Sequence, residues 1–336
     1  MSLLTSPEIK KLKSGEIFKA IFVVRNLVSR TDKNGRKYYE MTAIDSFGGI
    51  DAKIWSDAAW FDRSADNCDL TMPAERLEDS KIDGIEGCTV GIDGKVAEYK
   101  GQQQFNFNKI TLLNQKSFAP AEYMPKSPVS SEKLRERFEE LVSGCGKEIA
   151  DFLRAVFADE MLSEFFSWPA AVSNHHAYAN GLAEHSISVA DCAKGEAEAM
   201  KRSNYDVDSD IAVAGALLHD IGKLRAYKMN AMPEITIEGA VIDHVALGYT
   251  MFEKLCEKYP LDEKLRLQLA HIIISHHGLR EYGSPVVPET AEAMIVSSAD
   301  ELDFRMFCWH DSVKDMKEDE KISNWNNATQ RRFWNI

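Results

Sequence analysis

The sequence predicts two domains of different class, a small all-β barrel followed by an all-α bundle. Three observations carry that expectation. At 336 residues the chain exceeds one ordinary domain and has enough length for two cores. Its first third is built of β-branched, alternating runs separated by turn residues. The remainder spaces apolar residues three and four apart. The expected boundaries are 1–118 for the barrel, 119–133 for a linker and 134–336 for the helical domain.

In the first domain, "EIFKAIFVVRNLVSR" is a long apolar strand and "TDKNGRK" is a turn centred on Asn-Gly. "YYEMTAIDS" alternates, "FGGI" turns, and "DAKIWSD" is a further strand. After a less regular stretch, "CTVGIDGKVAEY", "KGQ" and "QFNFNKITLL" form another hairpin. Five strands in this arrangement fit a small Greek-key barrel of the OB type. Residues 117–133, "SFAPAEYMPKSPVSSEK", concentrate proline and serine as a linker does. From Leu134 onward seven amphipathic stretches follow, among them "GLAEHSISVADCAKGEAEAMKR", "SDIAVAGALLHD" and "DEKLRLQLAHIIISHHG".

Net charge is −13, and it is unevenly spread. Residues 1–118 hold 17 Lys+Arg against 17 Asp+Glu, and the rest holds 23 against 36. So acidic a chain will not coat nucleic acid indiscriminately, although a cation-bearing site within the acidic part can still attract phosphate. The six cysteines contain no Cys-x-x-Cys pair, which argues for a reduced cytosolic protein and against a thiolate zinc site. No stretch reads as a signal peptide or a membrane span.

Eight of nine histidines lie between residues 175 and 277, and none lies in the β-domain. His185, His219, His244, His276 and His277 sit in or at the ends of apolar helical stretches, accompanied by Asp220 and Asp300. Unpartnered polar groups there would each cost about 1 to 3 kcal/mol. One buried histidine is ordinary; a whole series from separate helices calls for a common partner. Imidazole and carboxylate without thiolate suit Mn, Fe, Co, Ni or Zn. Six or seven donors exceed one site and imply two divalent ions sharing a carboxylate. Periodicity leaves open which of His276 and His277 is a ligand, with His276 preferred.

The ordered series His185, His219-Asp220, His244, His276/His277, Asp300, with "HDIGK" at its centre, resembles the HD superfamily of metal-dependent phosphohydrolases. With "NHHAYANGLAEHSISV", "EGAVIDHVALG", "IIISHHGLREYGSP" and "SSADELDFRM" behind an OB-like domain, the chain resembles the YhaM family of 3'-5' exoribonucleases over nearly its full length. That resemblance implies an enzyme that trims single-stranded RNA, and sometimes DNA, from the 3' end. It implies that His185, His219, Asp220, His244, His276 or His277, and Asp300 are metal ligands, with Asp220 bridging and catalytic. Lys223 would contact the scissile phosphate, or, as a plain structural lysine, would satisfy carbonyls at a helix end. Gly222 reads as punctuation ending that helix. His175 and His176 match the "HHAY" segment and would meet substrate at the pocket rim, or hydrogen-bond the ligands from behind. Tyr282 stands where the family often has tryptophan and is a candidate for base stacking. His310 reads as a surface residue.

In the barrel, single strands would be bound by exposed aromatics and basic side chains. The candidates are Tyr38 or Tyr39, Trp55 and Phe105 or Phe107, with Lys53, Lys19, Arg25, Arg36 and Lys37 as phosphate partners. The expected partner is single-stranded nucleic acid, RNA before DNA, with no membrane; a homo-oligomer is compatible with the short track of one barrel. Two other functions use the same residues: a phosphohydrolase of small or cyclic nucleotides, and a non-enzymatic nucleotide or metal sensor.

Overall fold

A computed structural model describes residues 2–65, 74–172, 176–229, 233–314, 316 and 320–335. By its internal contacts the chain divides into residues 1–125 and 126–336. Within the 119–133 stretch lie a short helix, the boundary between the two units, and the first residues of a longer helix.

The first unit runs α1 (Ser6–Lys10), β1 (Ile17–Thr31), β2 (Lys37–Asp45), β3 (Gly48–Ile54), β4 (Ala59–Asp62), β5 (Glu75–Arg76), α2 (Asp79–Ile82), β6 (Thr89–Tyr99), β7 (Gln102–Leu112) and α3 (Pro120–Tyr123). Strands β1, β2 and β3 form an antiparallel meander, and β1 also pairs with β6, which pairs with β7. A short parallel pairing of β3 with β7, Ala52 opposite Phe105, closes these five strands into a barrel of OB-like topology. The Asn-Gly turn is as expected: Gly35 takes a positive φ of 78°, and the Asp32 carboxylate accepts from the Asn34 and Arg36 amides. Strand alternation fills the barrel with Phe18, Phe22, Met41, Ile50, Ile54, Ile92 and Phe107, and Ile9 joins that core from α1. The irregular stretch contributes β4, β5 and α2; residues 66–73 within it lie outside the described residues.

The second unit runs α4 (Ser131–Ser143), α5 (Lys147–Val156), α6 (Asp159–Phe165), α7 (Gly181–Arg202), α8 (Ser209–Leu218), α9 (Lys223–Ala226), β8 (Tyr227–Met229), β9 (Pro233–Ile235), α10 (Ile237–Ile242), α11 (His244–Lys258), α12 (Glu263–Ser275), a 3-10 turn at Arg280–Tyr282, and α13 (Ala291–Val313). It is helical apart from the small β8–β9 ribbon. At its centre is α8, whose "IAVAGALL" is buried on every side against α7, α12 and α13. Asp208 caps its start by accepting from the Asp210 and Ile211 amides. An all-round apolar helix needs neighbours on all faces, so its C-terminal end opens inside the bundle. No described helix is long and apolar enough to cross a membrane.

Candidate metal centre

The residues expected to act together arrive from five places in the helical unit. His185 lies one turn into α7. His219 and Asp220 follow the last residue of α8, His244 opens α11, His276 and His277 follow α12, and Asp300 lies within α13. His185, His219, Asp220 and His276 are all but fully buried.

Each ring is held by its Nδ1. His219 donates to the Ala216 carbonyl at 2.6 Å, His276 to the Ile273 carbonyl at 2.8 Å, and His277 to the Tyr282 carbonyl at 2.8 Å. Carbonyls only accept, so these three Nδ1 atoms carry the proton and each neutral Nε2 presents a lone pair. His185 donates in the same way to the Asp303 carboxylate at 2.8 Å, and His244 to the Asp243 carboxylate at 2.9 Å. Five rings are thereby oriented from behind, as metal-ligating imidazoles usually are.

The Nε2 atoms meet the two carboxylates. Asp220 Oδ2 lies 3.3 Å from His185 Nε2 and 3.2 Å from His219 Nε2. Its other oxygen, Oδ1, lies 3.4 Å from His244 Nε2 and 3.7 Å from His276 Nε2. Asp300 Oδ1 is 3.2 Å from His185 Nε2 and 3.9 Å from His219 Nε2. Asp220 Oδ1, His244 Nε2 and His276 Nε2 are buried with no hydrogen-bond partner. Lone pairs facing lone pairs in a dry interior repel one another, and a cation between them satisfies all of them. The donor set therefore fits divalent ions; His185, His219 and Asp220 form one compact group and His244, His276 and His277 another.

Electrostatics agree. Burial alone would raise the Asp220 carboxyl, but Lys223 and then His219 and His185 hold it well below the usual carboxylate range. Burial, followed by the neighbouring His219 and His277, pushes His276 well down, so that ring is neutral. Burial also opposes charge on His185, yet Asp220, Asp300 and Asp303 together raise it well above an ordinary histidine. A proton on His185 must leave before an ion can bind its Nε2. Ion affinity should accordingly weaken as pH falls, and titration calorimetry in buffers of different ionisation enthalpy should show net proton release.

Several residues occupy places other than those expected. His176, expected at the rim, is buried behind His185: its Nε2 meets Asp303 at 3.1 Å and its Nδ1 meets the Tyr178 hydroxyl at 2.8 Å. The reason is a sharp return of the chain at residues 176–181, so tight that a Cβ on Gly181 would lie 2.0 Å from the His176 carbonyl oxygen. His175 lies outside the described residues. Lys223 is not at a helix C-terminus. It opens α9, buried, with Nζ 2.5 Å from Asp220 Oδ2. Gly222 has ordinary helical φ and does not end a helix by a left-handed turn. It is needed for close approach, since a Cβ there would lie 1.9 Å from the His244 carbonyl oxygen and 2.5 Å from the Gly248 nitrogen. Tyr282 has an exposed ring, and its carbonyl orients His277. His310 is exposed on α13.

Two supports were not singled out from sequence, Asp303 and Asp243. Asp303 is one helical turn beyond Asp300, so the two carboxylates share a face of α13. That spacing was visible in "SSADELD". Asp243 adopts φ 74° and ψ 150°, a backbone region nearly reserved for glycine, while capping α11 through the Val245 amide. Such strain, of order 1–3 kcal/mol, persists where the surroundings impose it.

On the barrel, Tyr38, Trp55 and Lys53 come together. The two rings stack at 5.1 Å, and Lys53 Nζ lies 5.6 and 5.5 Å from their centroids. The alternatives Tyr39 and Phe107 are core residues, because β2 and β7 turn them inward, and Phe105 packs against the same core. Lys19 is paired with Asp93, Lys37 lies over Tyr39, and Arg25 is partly buried.

Residues 182–305 match the family model of the HD domain. Two solved structures align with the chain at low identity. One is the second OB-fold domain of replication protein A from Methanococcus maripaludis, at 14% identity over 31% of this chain and 90% of that one, with a TM-score of 0.19. The other is a replication protein A heterotrimer bound to single-stranded DNA, at 13% identity over 32% of this chain and 64% of that one, with a TM-score of 0.18.

Proposed function

We propose, from the HD domain and its converging donors, that this chain is a metal-dependent phosphohydrolase that shortens single-stranded nucleic acid from the 3' end, RNA before DNA, releasing nucleoside 5'-monophosphates. The observation that carries the reading is Asp220, whose two oxygens face two different sets of imidazole lone pairs within one buried cluster. His185, His219, Asp220 and Asp300 would hold one ion, and Asp220, His244, His276 and His277 a second. Divalent ions supply Lewis-acid polarisation of a phosphoryl oxygen and lower the pKa of water.

The remaining work falls to the chain. Water attacks the terminal phosphorus, the bond from phosphorus to the 3' oxygen of the preceding nucleotide breaks, and that oxygen takes up a proton. Burial acts to discharge Lys223, but Asp220 and Tyr227 outweigh it and raise its pKa, so a permanent ammonium stands beside the reacting phosphate. The apolar walls around α8 exclude bulk water and strengthen that interaction. Tyr38 and Trp55 offer ring faces to bases, with Lys53 as a phosphate partner.

Purified protein incubated with Mn and a 5'-labelled single strand should give a ladder shortening one nucleotide at a time. Uniform hydrolysis of mononucleotides in preference to the oligomer would favour the small-nucleotide reading instead. Trp55→Ala should weaken oligonucleotide binding by about 1–3 kcal/mol, roughly 5- to 150-fold, measured by fluorescence anisotropy.

A further inference from the structure

We infer that the two ion positions are chemically unlike and fill in order: the position formed by His185, His219, Asp220 and Asp300 is the tight, resident one, and that formed by Asp220, His244, His276 and His277 is the weak, exchangeable one. This rests on the metal reading above and concerns only how the ions are held.

Three observations separate the positions. The first is charge. The resident position has Asp300 to itself and Asp220 Oδ2, and its His185 is backed by a third carboxylate, Asp303. The other position has only the shared Asp220, through Oδ1, among three neutral rings. A divalent cation is attracted more strongly where more anionic oxygen surrounds it, and more so in a dry interior.

The second is rigidity. His185 is clamped between two carboxylates one turn apart on α13: Asp300 Oδ1 at its Nε2, 3.2 Å away, and Asp303 Oδ2 at its Nδ1, 2.8 Å away. Asp303 is itself fixed by His176 at 3.1 Å. Such backing raises imidazole basicity, and its loss typically costs 10–100-fold in metal affinity. In the second position His277 hangs from the Tyr282 carbonyl in a short exposed turn, and His244 is held by Asp243, whose side chain is 66% exposed.

The third is access. His185, His219 and Asp220 are buried, whereas His244 and His277 reach the edge of the cluster. An ion at that edge keeps room for water and a phosphate oxygen; an ion behind it does not exchange without opening the bundle.

The test uses the full chain, stripped by chelator and titrated with Mn, with binding followed by calorimetry and ion content by elemental analysis. Two classes of site are expected, separated by tenfold or more in affinity, one ion in each. His277→Gln, at a partly exposed position, should remove the weak class and leave one tightly held ion. Asp303→Asn should weaken the tight class 10–100-fold while the circular dichroism spectrum is unchanged. His176→Gln, which keeps a donor toward Asp303, should weaken it less. Two equivalent ions, or loss of the tight class in His277→Gln, would overturn the ordered filling yet leave the hydrolase reading standing. Failure of the chain to take up any ion would remove both.

Discussion

Asp220→Asn should lower phosphodiester hydrolysis about a thousandfold, the equivalent of about 4 kcal/mol of transition-state stabilisation. The amide keeps the size of the carboxylate and loses what the centre needs. One of its two terminal atoms becomes an N–H donor, so it can no longer present an anionic oxygen both to His185 and His219 and to His244 and His276. The same change leaves the buried Lys223 ammonium, 2.5 Å away, without its main counter-charge. Stranding one partner of a buried pair costs about 3–5 kcal/mol, so a loss of activity could report a loss of fold. The double variant Asp220→Asn with Lys223→Met separates the two. Thermal stability should recover toward the parent while turnover stays at the level of the single variant. Single-turnover assays at saturating Mn, with melting curves, read both. A properly folded Asp220→Asn within tenfold of the parent would show that Asp220 does not bridge.

Gly222→Ala carries the second large effect, this time on the fold. The added methyl would meet the His244 carbonyl oxygen and the Gly248 nitrogen, both backbone, so nothing can rotate out of its way. Overpacking a close helix contact typically costs about 1–3 kcal/mol, and a backbone clash belongs at the upper end. For a unit of about 200 residues, about 3 kcal/mol lowers Tm by roughly 6–12 °C. Because the displaced segment begins with His244, Mn binding in the His244, His276 and His277 group should weaken as well. Gly195→Ala is the control. It lies in α7 with nothing within 4 Å of the added methyl, and it should leave Tm unchanged or raise it slightly.

Much of the arrangement was legible because it depends on local pattern. The strands around "TDKNGRK" and the helices that carry His185, His219 and His276 follow from alternation and from three-and-four spacing. The order of histidines and carboxylates was likewise open to reading, since each donor sits in or beside an apolar run. What escaped depends on contacts between distant segments. Asp303 becomes a support only because residues 176–181 fold back to bring His176 against it. Gly222 reads as a helix stop until α11 is seen pressed onto it. The barrel aromatics are a different case. Once Met41 is taken as core, alternation along "YYEM" turns Tyr39 inward and Tyr38 outward, so that choice was available from the sequence and was not drawn.

Three of the five rings are steered by main-chain oxygens, those of Ala216, Ile273 and Tyr282. No point substitution can delete a carbonyl. Drift in the residues lining the bundle therefore leaves the aim of these imidazoles intact so long as the ends of α8 and α12 keep their shape. For anyone transplanting the cage into another scaffold, the parts to copy are two helix termini and the turn after the second, together with one face of α13.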